Sequence, residues 1–361
     1  INVFDSISAG SNIDSQASHN EFKVCNNQTN FSKLRHTYFN FNFMRNMLED
    51  ISKNLYDALE KSCNSCTSNL ISLSGGLDST IIAYFLKEKN PKTIAIIAED
   101  FVSTDLTYCQ MVSKQMQLPL SIYNVKTAII LEAIEETIKI LKNFNDIEIR
   151  NNVVMYLAIK WAKENGEKSI ITGDGADELF AGYNFLINKP ENELEEEIKR
   201  VCSIMHFPTQ KIGKALGIKI ESPFLDDNVI KIAKEIPANL KVKNENNKRH
   251  GKWILRKTFE KYIPQQIAWR MKSPMQEGSG TSGLTNLFES VIGEETFVEK
   301  KLTVKKDDDV VIRSRESMHY YEIYKKLFGS PCDKESKNTC PYCKHKVENS
   351  KFCRMCGAFP I

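Results

Sequence analysis

The sequence predicts an α/β fold: a parallel sheet with helices on both faces, followed by a mainly helical C-terminal half and a small metal-binding tail. Three observations carry that prediction. Short apolar strands alternate with stretches of helical periodicity from about residue 44 onward. Two glycine-broken loops, rich in hydroxyls and carboxylates, each follow such a strand directly. Four of the ten cysteines crowd into residues 340–356.

Residues 1–43 are rich in Asn and Ser without a sustained period and read as a loosely ordered polar arm. From Met44 the pattern changes, with Met44, Met47, Leu48, Ile51, Leu55 and Leu59 recurring at helical spacing. "NLISL" (69–73) reads as a buried strand, and Ile81, Ile82, Phe85 and Leu86 mark the helix after it. "KTIAIIAED" (92–100) is a second strand, and Leu106, Cys109, Val112 and Met116 mark a second helix. "LSIYNV" (120–125) and "KSIIT" (168–172) complete the predicted strands. Such alternation argues for a parallel sheet covered on both faces. From about 185 to 328 the pattern is helical, punctuated by Pro223, Pro237, Pro264 and Pro274. The polar "GSPCDKESKN" (329–338) reads as a linker that isolates the tail, 339–361, from a main domain of 44–328.

Composition narrows the class. A chain of 361 residues with 41% hydrophobic residues can bury a substantial core, and a net charge of +3 writes no general affinity for nucleic acid into it. No apolar run reaches membrane-spanning length and no basic-then-apolar leader opens the sequence, so a cytoplasmic protein without membrane partners is the expectation. The cysteines then read as thiols and metal ligands rather than disulfides.

The first loop lies in "LISLSGGLDSTIIAYFL" (70–86). A loop at the carboxyl end of a parallel strand sits where such sheets bind ligands. Gly75 and Gly76 let backbone N–H groups turn toward an anion at a helix N-terminus, and Ser74 and Ser79 add hydroxyl donors. Asp78 would repel a bare phosphate, so it belongs there with a cation between them, which points to magnesium. "IITGDGADELFAGY" (170–183) repeats the design, with Asp174, Asp177 and Glu178 too close together to coexist cheaply unless a cation or substrate compensates them. Two such loops at two strand ends can hold one Mg–nucleotide from both sides.

"LSGGLDST" resembles the pyrophosphate loop of the N-type ATP pyrophosphatases, whose fold is of the adenine-nucleotide alpha-hydrolase type. Together with "TGDGADELFAGY" it is similar to the synthetase domain of glutamine-dependent asparagine synthetases and of β-lactam synthetase. Further blocks follow in the same order: "NNVVMYLA" after Arg150, "ESPFLDDNVIKIAKEIP" (221–237), "GKWILRKTFEKYIP" (251–264) and "WRMKSPMQEGSG" (269–280). The resemblance spans roughly residues 44–290 and implies adenylation: ATP converts a carboxylate into an acyl-AMP, pyrophosphate leaves, and an amine displaces AMP. It further implies that Leu73 and Ile97 flank the nucleotide, that Thr172 and Gly173 contact adenosine, and that Asp78 and Asp177 hold magnesium. Lys272 matches the lysine that stabilises charge on the phosphates and the acyl-transfer oxyanion.

Three departures qualify the match. No N-terminal cysteine precedes the synthetase-like region, and Cys25 lies within a polar stretch. Ammonia is therefore expected to arrive free or from a separate glutaminase, unless another amine is the nucleophile. Asp174 stands where the resemblance implies a glutamate linked to formation of the intermediate. "NNVV" replaces small polar residues, although Arg150 can still pair a substrate carboxylate in bidentate fashion. Aspartate is the leading acceptor.

The tail carries C-x2-C-x9-C-x2-C, Cys340, Cys343, Cys353 and Cys356, which is the spacing of a four-cysteine structural zinc ribbon. Lys344, His345, Lys346, Lys351 and Arg354 give it a basic face, read as solvated, with nucleic acid or an acidic protein as the alternative partner. Cys63 and Cys66 form a further CxxC, read as incidental. Two other functions compete with the amide ligase. One is adenylation of a tRNA base for sulfur or nitrogen insertion, favoured by the ribbon. The other is a non-catalytic nucleotide-binding protein, disfavoured by intact Asp78, Asp177 and Lys272.

Overall fold

A computed structural model describes residues 28–245, 247–333, 336, 338–347 and 350–361. The first 27 residues of the expected polar arm, Cys25 among them, lie outside the described residues, and 28–43 are helical. The helix expected from Met44 runs over Gln28–Ser65 (α1), with Leu55 and Leu59 fully buried. The second of two compact units, Asp50–Ile361, holds everything discussed below.

Five parallel strands form the sheet: β1 (Leu70–Ser72), β2 (Lys92–Ala98), β3 (Leu120–Val125), β4 (Ser169–Ile171) and β5 (Lys219–Glu221), in the order β3-β2-β1-β4-β5. Helices α2 (Leu77–Leu86), α3 (Asp105–Met116), α4 (Thr127–Leu141) and α5 (Asp146–Glu164) make the crossovers. β2 shows why both faces must be covered. Ile94, Ile96 and Ala98 join the core formed with α4 and α5, whereas Thr93, Ala95 and Ile97, on the opposite pleat, are equally buried. The predicted α/β sheet is thus present, with β5 as an addition. That strand is three residues long with Ile220 as its apolar centre, too short for a period to show.

After β5 the chain is mainly helical, as expected, apart from an antiparallel hairpin of β6 (Lys243–Glu245) and β7 (Lys248–His250). The elements used below are α6 (Pro208–Leu216), α7 (Trp253–Phe259) and α8 (Arg315–Phe328). No helix among the described residues is long and apolar enough to cross a membrane.

The tail departs from the isolated appendage that its linker suggested. Cys340, Cys343, Cys353, Met355, Cys356 and Ala358 belong to the same apolar core as Phe144, Val310, Ile312, Tyr321 and Tyr324. Backbone bonds fasten it: Phe144 N donates to Met355 O (2.9 Å) and Val311 N to Tyr342 O (2.7 Å). A polar stretch reports only local composition; the apolar residues beyond it decide where the tail packs.

Candidate active site

The strand order reverses between β1 and β4, and that switch point is where open parallel sheets bind ligands. The loop after β1 and the loop after β4 both open there, into a cavity of about 510 Å³. Its wall includes Ser74, Gly76, Asp78, Ser79, Thr172, Gly173, Asp174, Asp177, Glu178 and Lys272.

The first loop is tied internally by its hydroxyls. Ser74 Oγ and Ser79 Oγ are 3.2 Å apart, and Gly76 N donates to Ser74 Oγ (3.3 Å). The N-cap of α2, Gly76, supplies no side-chain acceptor, leaving the helix N-terminus open to an anion. Gly75 has φ +62°, and a Cβ there would lie 2.6 Å from Tyr108 Cβ and 2.7 Å from Cys109 N. Gly75→Ala combines left-handed strain of about 1–2 kcal/mol with overpacking of about 1–3 kcal/mol. Calorimetry of that variant is expected to show Mg–ATP binding weakened by about tenfold or more.

In the second loop, Thr172 Oγ1 donates to Asp174 Oδ2 (3.0 Å) and lies 3.0 Å from Ser222 Oγ. Burial raises the Asp174 carboxyl above its usual range, against hydrogen bonds from Thr209 and Thr172 that lower it. Burial likewise raises Glu178, although Tyr183 OH donates to it at 2.5 Å.

The side chain that unites the two loops is one to which the sequence assigned no role. Lys252, in left-handed conformation at the start of α7, places Nζ 2.6 Å from Asp78 Oδ2 and 2.6 Å from Asp177 Oδ1. Lys272 Nζ lies 3.0 Å from Asp177 Oδ2. Burial pushes Asp177 up, but Lys252 and Lys272 outweigh it and hold the carboxyl well below the usual range. Burial alone would depress the Lys252 ammonium, and Asp177 and Asp78 reverse that, holding it above its ordinary value. Asp78 Oδ1 is buried and accepts no hydrogen bond. An orphaned carboxylate oxygen at a phosphate-sized loop fits a divalent cation, so Asp78 and Asp177 are a suitable pair for magnesium.

Arg270 was also missed. Its guanidinium stacks on Tyr108 (3.7 Å to the ring centre), donates to Gly75 O (3.2 Å) and pairs with Asp105 (2.7 Å). It latches the loop that carries Lys272 to the first glycine loop. The only advance signal was its place two residues before Lys272.

Four expected residues stand apart from the cavity wall: Gly75, at the turn of the first loop, and Leu73, Ile97 and Arg150. Leu73 and Ile97 are buried and do not line it. Arg150 does not line it either: its Nε lies 3.1 Å from the buried Glu316, and its Nη1 donates to Thr285 Oγ1 (2.7 Å). Thr285 in turn donates to Glu316 (2.7 Å). Releasing Arg150 to a substrate would break a buried ion pair, at a cost of about 3–5 kcal/mol.

The four tail cysteines are brought together, with all sulfurs within 4.8 Å of one another. Cys340 Sγ lies 3.7 Å from Cys356 Sγ, and Cys343 Sγ lies 3.6 Å from Cys353 Sγ. A zinc tetrahedron with bonds of about 2.3 Å has edges of about 3.8 Å, whereas a disulfide needs about 2.05 Å. The donor set and its spacing therefore fit a closed tetrahedral thiolate site. The expected basic face is partly spent internally: Lys344 lies 3.5 Å from Asp309, and Arg354 donates to Ile204 O (2.7 Å).

The family model for asparagine synthase matches residues 50–206 and 197–342. A probable glutamine-hydrolysing asparagine synthetase of Dictyostelium discoideum is 27% identical, over 72% of this chain and 52% of its own length. Asparagine synthetase B of Escherichia coli (strain K12) is 28% identical, over 81% of this chain and 57% of its own. The chain thus spans about half the length of these relatives. Among solved structures, an NMN synthetase from Francisella tularensis aligns with a TM-score of 0.26 and 14% identity, over 52% of this chain and 91% of that one. With matched segments covering most of its length, the chain belongs to the asparagine synthase family.

Proposed function

We propose that the protein is an ATP-dependent amide ligase that adenylates a carboxylate, releases pyrophosphate and passes the acyl group to ammonia or another amine. The observation that supports it most directly is the meeting of Asp78 and Asp177, from two different strand-end loops, on the single ammonium of Lys252. Such an arrangement aligns two carboxylates before any nucleotide arrives and keeps Asp177 charged. The open N-terminus of α2 binds the β- and γ-phosphates, and Lys272, freed from Asp177, carries charge that develops as the bond from Pα to the bridging oxygen breaks. Magnesium, held by Asp78 and Asp177, supplies neutralisation of the leaving pyrophosphate when bound. The acceptor carboxylate oxygen forms the new bond to Pα. In the second step the amine nitrogen bonds to the acyl carbon, the carbon–oxygen bond to AMP breaks, and Asp174, its carboxyl raised by burial, takes the proton the amine loses.

Aspartate with ammonia is the first pair to assay, since the named relatives are asparagine synthetases. A separate glutaminase is an alternative source of the ammonia. The tail cysteines are proposed to hold one structural zinc, and a cytoplasmic location is proposed with it. The same zinc site favours a second reading, adenylation of a tRNA base. Incubating the protein with Mg–ATP and following AMP and pyrophosphate, with carboxylates, ammonia and tRNA added in turn, separates the readings. Stoichiometric AMP with a carboxylate supports the ligase; AMP only with tRNA supports the alternative. Nucleotide binding without turnover under every condition would show a protein that has lost the reaction.

A further inference from the structure

Lys272 lies on a segment fastened at both ends, and Arg270 joins the nearer fastening to the first glycine loop. At the far end, Ser103 Oγ donates to Gly278 O (2.5 Å) and Thr281 Oγ1 to Arg150 O (3.3 Å). A Cβ at Gly278 would run into the Asp105 carboxylate, and one at Gly283 into the ring of Phe101. Residues 278–283 are thus pressed against the chain between β2 and α3. At the near end the Arg270 side chain, 10% exposed, spans three groups: Nη2 meets Asp105 Oδ1, Nη1 meets Gly75 O, and the guanidinium lies over Tyr108. Between the two fastenings Lys272 reaches Asp177 (3.0 Å), and Met271 and Met275 stay partly open to solvent (51% and 36%).

Neutralising Asp105 takes only one cationic contact. The second donor of Arg270 does something different, because Gly75 O belongs to the planar peptide unit that also carries Gly76 N. Holding the oxygen fixes that plane, and with it the direction of the Gly76 N–H at the N-cap of α2. Gly75 has no side chain of its own to hold the turn at its φ of +62°, and Arg270 supplies the tie from outside. An ammonium is a point charge on a flexible stem, whereas the guanidinium fork serves two acceptors on two elements and stacks on a ring at the same time. A displacement of the loop by a bound anion therefore reaches Lys272 through one side chain and two backbone steps.

We propose that Arg270 is a positioning residue that couples the first glycine loop to the Lys272 segment, so that phosphates held by the loop set where Lys272 stands. This rests on the nucleotide-binding part of the proposed function and specifies how the lysine of that site is brought into place. Arg270 acts through Gly75 and Lys272 and touches no reacting atom. The coupling is a direct physical tie: one buried side chain bonded to both segments, with α3 as its fixed support.

Hydrogen exchange of the full chain, with and without magnesium and α,β-methylene ATP, tests it alongside calorimetric titration of the same analogue, whose Pα–Pβ link resists cleavage. In the unsubstituted protein the nucleotide is expected to slow exchange both at 74–80 and at 271–277. Arg270→Ala should keep the protection at 74–80 and lose that at 271–277, with affinity lowered by about tenfold or less. Arg270→Lys, which keeps a charge for Asp105 and so the fold, should lose most of the remote protection as well. Lys272→Met should retain it, because the route runs through the arginine. Exchange at 271–277 raised equally with and without nucleotide in the Arg270 variants would overturn the inference, showing an arginine that only holds the fold. Remote protection that survives Arg270→Ala but vanishes in Lys272→Met would overturn it in favour of direct contact between the lysine and the phosphates. Protection at 74–80 alone in the unsubstituted protein would overturn it and leave the nucleotide site standing. No binding of the analogue by the folded protein would remove the nucleotide reading and this inference together.

Discussion

Asp78→Asn and Asp177→Asn are each expected to cut AMP formation by about two to three orders of magnitude. Each substitution keeps the shape of the side chain and removes one charged oxygen from the site proposed to hold the Mg–nucleotide. The loss has two parts. Asp78 pairs with Lys252 through Oδ2 alone, while its buried Oδ1 has no donor, so most of the effect of its removal falls on catalysis. Asp177 does both jobs, because it pairs with Lys252 and Lys272 as well. Asp177→Asn should therefore also lower thermal stability measurably, while Asp78→Asn lowers it less. In either variant Lys252, whose side chain is only 4% exposed, keeps one carboxylate partner, so the chain still folds. Chromatographic assay of AMP, paired with thermal melting by circular dichroism, separates the two effects. Near-normal pyrophosphate release from either variant would contradict the magnesium assignment.

The reason these carboxylates were legible in sequence, and their partners were not, is geometric. Each glycine loop sits immediately after a short apolar strand, so strand, loop and acid are read from one local window. Lys252 reaches Asp78 across 174 positions, and Arg270 reaches Asp105 across 165. No periodicity or spacing rule connects residues so far apart; only the closed sheet does. Lys252 did lie in a quoted block, "GKWILRK", but a buried lysine and a solvated one look alike in sequence. Arg150 illustrates the opposite error. An arginine beside a catalytic-looking segment invites a substrate role, yet Glu316, far along the chain on α8, claims its Nε at 3.1 Å. The strands tell the same story at the level of the fold. β2, seven residues long and buried on both pleats, announces itself, whereas β5 has three residues and is recognised only by its pairing with β4. Local pattern located the two acid-bearing loops of the cavity; the ion pairs that hold them depend on the tertiary structure.

Stripping the metal from the tail is expected to destabilise the whole second unit, not the last segment alone. A tail isolated by the polar linker, as the sequence predicts, could be removed without disturbing the cavity. The structure changes that expectation, because the tail completes a core. Met355, Ala358 and the four cysteines belong to one buried apolar cluster with Phe144, Val310, Ile312, Tyr321 and Tyr324. Each large apolar side chain returned to water costs about 1.5–3 kcal/mol, so loss of the tail should cost several kcal/mol. The damage would also reach the cavity. Gly357, at φ +74°, packs so closely on Asn145 that a Cβ there would meet Asn145 Oδ1 at 2.6 Å. Asn145 caps α5 by accepting from Glu148 N (3.3 Å), and α5 carries Ile147, Asn151, Asn152 and Met155 into the cavity wall. A thiolate cluster without its ion has no means of holding four buried sulfurs together, so chelation should loosen this contact from the tail inward. We expect about one equivalent of zinc in the purified protein, and a melting temperature lowered by about 10 °C on chelation or in Cys353→Ser. Hydrogen exchange should rise at residues 143–152 before it rises in β1 and β2. Cys66→Ser, a thiol outside the cluster, serves as the control and should leave both readings unchanged. A truncated or chelated protein with an unaltered melt and unaltered exchange at 143–152 would show that the docked tail contributes nothing to the α5 side of the cavity.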